Sequence, residues 1–154
     1  MKTILLAVDD TKGAERAAET LAGWAKVLHP ESVIVLHVQQ MWGRSLVGEG
    51  LVSDPDIQEV SKALEGTEFL EKLDAASAKI VAHFTALLQE AGYRDVRTLI
   101  RKGHPAEQIL ETAKEEDVEL IVLGSRGKRL HTLLLGSVSR EIANTSDISV
   151  LTVH

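Results

Sequence analysis

Short apolar runs alternate along the chain with longer stretches in which apolar residues return every three or four positions. The first run, Thr3 to Val8 (TILLAV), stops at Asp9-Asp10-Thr11 and predicts a strand buried on both faces. Beyond it Ala14, Ala17, Ala18, Leu21, Ala25 and Leu28 keep helical spacing as far as Pro30, with Thr11 or Asp10 placed to cap the helix. Ser32 to Val38 (SVIVLHV) predicts a second buried strand. From Gln39 to Pro55 the periodicity is lost and Gly43, Gly48 and Gly50 appear, which predicts a mobile loop long enough to serve as a lid. Asp56 to Ala91 predicts helix, broken near Gly66, with an apolar stripe of Leu70, Leu73, Ala76, Ile80, Phe84 and Leu87 or Leu88. Asp95 to Gly103 predicts the third strand, Pro105 opens a helix reaching about Glu116, and Val118 to Gly124 predicts the fourth strand. Leu133 to Asn144 predicts a helix and Ile148 to His154 the last strand.

Strands alternating with helices in this way predict one α/β domain over residues 1–154, an open five-stranded parallel sheet with helices on both faces, Rossmann-like. Ligands collect in such sheets at the carboxyl ends of the strands, where the strand order reverses. Asp9, Val38 and Gly124 all fall at predicted strand ends.

Composition narrows the function classes. The chain has 154 residues, 44% of them hydrophobic and 26% charged, as expected of a globular fold rather than a disordered one. With no cysteine, disulfides, thiolate catalysis and Cys-ligated zinc are excluded. The apolar run at the start is short and broken by Asp9 and Asp10, so neither a signal peptide nor a membrane span is expected and a cytoplasmic location is the default. A net charge of −6 and 3% aromatic residues argue against nucleic acid as a partner. The charge is uneven, however: between Glu119 and Glu141 stand Arg126, Lys128, Arg129 and Arg140 and no acid, while the rest of the chain carries 13 basic and 23 acidic residues.

That basic window contains Gly124 to Ser137, GSRGKRLHTLLLGS. Glycines between a buried strand and a helix let backbone N–H groups line a concavity with no Cβ in the way, and the helix N-terminus adds its dipole, so phosphate is the natural guest. Ser137 is placed to cap that helix or to donate its hydroxyl to a phosphate oxygen. The plainer alternative is a tight turn made by Gly124 and Gly127. Arg126, Lys128 and Arg129 are either a solvated loop or phosphate clamps, and their crowding beside the glycines favours clamps. The P-loop and dinucleotide fingerprints are both missing, and a phosphorylated receiver domain fails because TLIRKG and SVLTVH lack its aspartate and lysine.

VDDTKGAERAAETLAGWA, VIVLHV, IRKGHPAEQILETAKEEDVELIVLGSRG and LLLGSVSREIANTSDISVLTV, in this order, resemble the universal stress protein family. Gly103, Pro105, Glu107 and Ile109, with the Gly-Ser-Arg-Gly turn, carry the resemblance across nearly the whole chain. It implies an adenine nucleotide alpha hydrolase-like fold, usually a homodimer, with no reaction common to its members. Many members bind ATP through Gly-x2-Gly-x9-Gly-Ser/Thr. By resemblance, Asp9 contacts the nucleotide, the Val38 backbone meets adenine, and Gly124, Gly127, Gly136, Ser137 and Val138 wrap the ribose and phosphates. This chain departs from the pattern in having eight residues, not nine, between Gly127 and Gly136, and Ser149 stands where the family often has proline.

Asp9 and Asp10 are candidates for a magnesium ion shared with phosphate oxygens; Asp9 is assigned to the ligand and Asp10 to the helix cap. The histidines at positions 29, 37, 83, 104, 131 and 154 form no i, i+4 pair, so no metal site of their own is expected, and His104 is taken as a loop residue. Ser125, Ser137 and Ser139 have no base partner visible in sequence, and no catalytic residue is assigned. The apolar last strand, if at a sheet edge, is best covered by its copy in a homodimer. The expected function is ATP binding that orders the 39–55 and 124–136 loops; the alternatives are a nucleotide-free interaction protein or a weak magnesium-dependent ATP hydrolase.

Overall fold

The structure, a computed structural model, describes residues 1–40, 68–125 and 135–154. In chain order these form β1 (Thr3–Val8), α1 (Lys12–Gly23), β2 (Ser32–Gln39), α2 (Glu68–Ala91), β3 (Val96–Lys102), α3 (Pro105–Glu115), β4 (Leu120–Gly124), α4 (Ser137–Thr145) and β5 (Ser149–Val153). All strand pairs are parallel, in the order β3-β2-β1-β4-β5. After β3 the chain returns to the far side of β1, so the switch point lies between β1 and β4.

The two-residue alternation of the strands divides the core. Ile4, Leu6, Val8, Val33 and Val35 face α1 and α2, where Ala17, Leu21, Val81, Phe84 and Leu88 meet them. Leu5, Ile34, Leu36 and Ile121 face α3 and α4, against Ala106, Ile109 and Ile142. Ile4, Leu5 and Leu6 are 0% exposed, so consecutive residues of β1 are buried on opposite faces, each burial worth roughly 1.5–3 kcal/mol. The outer strands differ: Arg97, Thr98, Ile100 and Lys102 of β3 are exposed, and Val150 to Val153 of β5 are only half-buried.

Several boundaries move from those the pattern predicts. The cap of α1 is Thr11, not Asp10: Thr11 has extended backbone and its side chain accepts from Ala14 N. The helix stops at Gly23, short of Pro30, where Trp24 N–H and Ala25 N–H turn to carbonyls three residues back, those of Leu21 and Ala22, and the chain continues as a turn. Ala25 and Leu28 still pack on the core from that turn, which is why their spacing mimics helix. Gln39 belongs to β2 rather than to a loop; it is buried, and its Nε2 donates to Asp74 Oδ1 at 2.9 Å and Ser77 Oγ at 2.8 Å. The same contact draws Ser77 into the buried stripe of α2 and leaves Ala76 exposed. The strand expected from Val118 begins at Leu120, since Asp117 turns at φ 49° and Val118 N–H bonds the Ala113 carbonyl. The helix expected from Leu133 begins at Ser137, with Leu135 and Gly136 non-helical and residues 133–134 outside the described part. Residues 41–55 of the expected loop and 56–67 of the expected helix also lie outside it.

Candidate nucleotide site

The sheet register brings the predicted strand-end residues together. Val8 pairs with His37, Ala7 with Leu123, and Gly124 with Val153, so Asp9, Val38 and Gly124 stand side by side at the carboxyl edge. Val38 packs on the α3/α4 side of the sheet. The switch point has two lips, the turn from β1 into α1 and the exit of β4 toward α4.

The β1 lip is closed by its own side chains. Asp9 Oδ1 accepts from Thr11 N–H at 3.0 Å and from the Thr11 hydroxyl, while Thr11 Oγ1 accepts from Ala14 N–H at 3.3 Å. One lip residue escapes sequence reasoning: His37 Nδ1 lies 2.8 Å from the Val8 carbonyl, an acceptor, so Nδ1 is the protonated nitrogen and ties off the last carbonyl of β1. Nothing in the sequence pairs positions 8 and 37 except the register of two parallel strands.

Gly124 is glycine for space. Its φ is not in the left-handed region, but a Cβ built there meets the Gly13 carbonyl carbon at 2.5 Å, its oxygen at 2.6 Å and its Cα at 2.8 Å. The first turn of α1 therefore rests directly on the end of β4.

The β4 lip is rooted in Ser125, which is 1% exposed. Its N–H donates to Val153 O at 2.7 Å, and its hydroxyl lies 2.9 Å from His154 Nδ1. Its carbonyl accepts from Gly136 N–H at 2.6 Å and from the Ser139 hydroxyl at 3.0 Å. Ser139, 2% exposed, also reaches the Gly136 carbonyl. Ser125 thus has an imidazole partner that the 29-residue separation hides in sequence, yet both serines are buried in structural bonds. Of the two roles open to Ser137, it does not take the cap: Gly136 does, with φ −61° and ψ 161°, and Ser137 is the exposed first residue of α4. A glycine cap offers no side-chain acceptor, and the first intrahelical bond is Arg140 N–H to the Gly136 carbonyl at 3.0 Å. The N–H groups of Ser137 and Val138 precede it, at the positive end of the helix. His104, expected as a plain loop residue, lies with Nε2 3.0 Å from Glu141 Oε2 and links the turn before α3 to α4. Arg126, Gly127, Lys128 and Arg129 fall outside the described residues.

An open cleft of about 420 Å³ lies between the turn leaving β1, the start of α1 and the middle of α2. Asp9 and Thr11 of the β1 lip line it together with Lys12, Glu15, Lys79 and His83, and His83 Nε2 sits 2.9 Å from Glu15 Oε1. Among the described residues no group of three or more His, Cys, Asp or Glu side chains is placed to hold a metal, and no helix is long and apolar enough to cross a membrane.

Comparison with known proteins agrees with this architecture. The chain is 30% identical over 162 residues to universal stress protein MJ0577 of Methanocaldococcus jannaschii, covering 99% of this chain and 94% of that protein. The solved structure of MJ0577 matches with a TM-score of 0.76. Universal stress protein YxiE of Bacillus subtilis is 32% identical over 157 residues, covering 98% of this chain and 97% of its own. A solved universal stress protein in complex with cAMP shares the fold, with a TM-score of 0.68 at 21% identity, over 99% of this chain and 97% of that one. The model of the universal stress protein family matches residues 1–154, and the chain belongs to that family.

Proposed function

We propose that this universal stress protein is a single cytoplasmic domain that binds an adenine nucleotide, ATP foremost, and acts as a homodimer. The observation that carries the proposal is the glycine-capped N-terminus of α4 at the switch point, beside Asp9 and Val38. Backbone N–H groups ahead of a helix, with no capping side chain, suit phosphate. The adenine nucleotide bound by a structural neighbour supports the choice of ligand. In this proposal the Val38 backbone meets the base, Asp9 the nucleoside, and Gly136, Ser137 and Val138 the phosphates, with Arg126, Gly127, Lys128 and Arg129 completing the phosphate side. Asp9 Oδ1 is taken by Thr11, which leaves Oδ2 as the oxygen for the nucleoside, and magnesium arrives with the ATP phosphates. Occupancy shifts a population of conformers that a partner protein reads. The half-buried edge of β5 pairs with its copy about a two-fold axis.

Calorimetric titration of ligand-stripped protein with ATP and Mg²⁺ tests the proposal, with micromolar affinity expected, about −8 kcal/mol. Absence of heat, and of thermal stabilisation at millimolar ATP, favours instead a nucleotide-free interaction protein. That second reading draws on the internal work already done by Asp9, which serves Thr11, and by Gly124, which serves Gly13.

A further inference from the structure

We infer that Gly124 acts as a positioning residue, setting the gap between the two lips of the site by admitting α1, rather than as a phosphate contact. The inference rests on the nucleotide-binding reading above and changes the role of one of its glycines. Space, not backbone conformation, explains the residue: its φ is ordinary, and the clash of an added Cβ is with three backbone atoms of Gly13, none of which can swing aside like a side-chain tip. Gly13 is itself buried and is the second residue of α1. The turn ahead of it is one bonded unit, since Asp9 holds Thr11 and Thr11 holds Ala14. A displacement at Gly13 is therefore passed to Asp9, the nucleoside-facing group. On the other side Gly124 leads into Ser125, whose N–H and carbonyl are fixed to β5 and to the start of α4. Gly13 and Gly124 are 111 positions apart in the chain, and their contact fixes how far Asp9 stands from the N-terminus of α4.

A phosphate contact and a positioning contact differ in which ligands notice their loss. The experiment titrates wild type and Gly124→Ala with ATP, AMP and adenosine by calorimetry at a temperature where both are folded. The expected result is a loss of tenfold or more that is similar for all three ligands, because the nucleoside contact moves as well as the phosphate contact. A loss confined to ATP and AMP, with adenosine bound as in wild type, overturns the inference, as does unchanged binding of all three. If wild type binds none of them, the nucleotide-binding reading fails instead. Should Gly124→Ala not fold, Thr11→Ala loosens the same lip without adding an atom; adenosine affinity is then expected to fall several-fold, and an unchanged value overturns the inference.

Discussion

The turn from β1 into α1 and the exit of β4 toward α4 occupy equivalent places at the carboxyl edge, yet they end differently. In the first, Thr11 caps the helix and Asp9 is bonded to Thr11, so side chains satisfy the early donors. In the second, serines brace the root of the connection while the cap is a glycine, and among the described residues no side chain caps the first turn of α4. α1 is also fastened at its other end, where the buried Tyr93 hydroxyl donates to the Leu21 carbonyl at 2.8 Å. One helix start is closed by side chains; the other is capped by a glycine alone.

The largest test of that contrast is Gly124→Ala, which forces α1 off β4. Overpacking against backbone is expected to cost about 3 kcal/mol of stability without ligand, read by urea denaturation. Ser139→Ala comes next: it strips one of the two donors from the Ser125 carbonyl and is expected to cost about 2 kcal/mol, with weaker binding of phosphate-bearing ligands. Thr11→Ala removes the α1 cap for about 1 kcal/mol.

Tyr93 sharpens the comparison through pH. Desolvation by burial raises its pKa, so the folded state favours the neutral phenol. The raised value adds stability that is complete below the unfolded-state pKa, about 10, and is lost as pH climbs through the folded one. Alkaline titration of stability is expected to show this decline in wild type and less of it in Tyr93→Phe. The smallest effect is the most pointed. Gly136→Ser, which gives α4 the kind of cap α1 already has, is expected to raise stability by a few tenths of a kcal/mol and to lower nucleotide affinity.

What was legible in the sequence follows interaction range. The doubly buried runs TILLAV and SVIVLHV announce strands because burial on both faces removes polar residues from consecutive positions. The switch point is legible too, since alternation of strand and helix leaves few topologies. The cap of α1 was ambiguous because Asp10 and Thr11 both carry a suitable oxygen, and only the backbone angles at Thr11 decide. Gln39 looked like the first residue of a loop because the partners that bury it, Asp74 and Ser77, lie on a distant helix. Ser125 with His154, and Gly124 with Gly13, leave no local signal, as each contact exists only once the sheet has assembled.

The most direct measurement of the difference between the two lips is a backbone-amide NMR titration of the ligand-free protein with AMP and then ATP. The account predicts that the Ser137 and Val138 amides shift most, and more with ATP than with AMP, while the Ala14 amide, already bonded to Thr11, moves little. Saturable binding that leaves Ser137 and Val138 in place would contradict it.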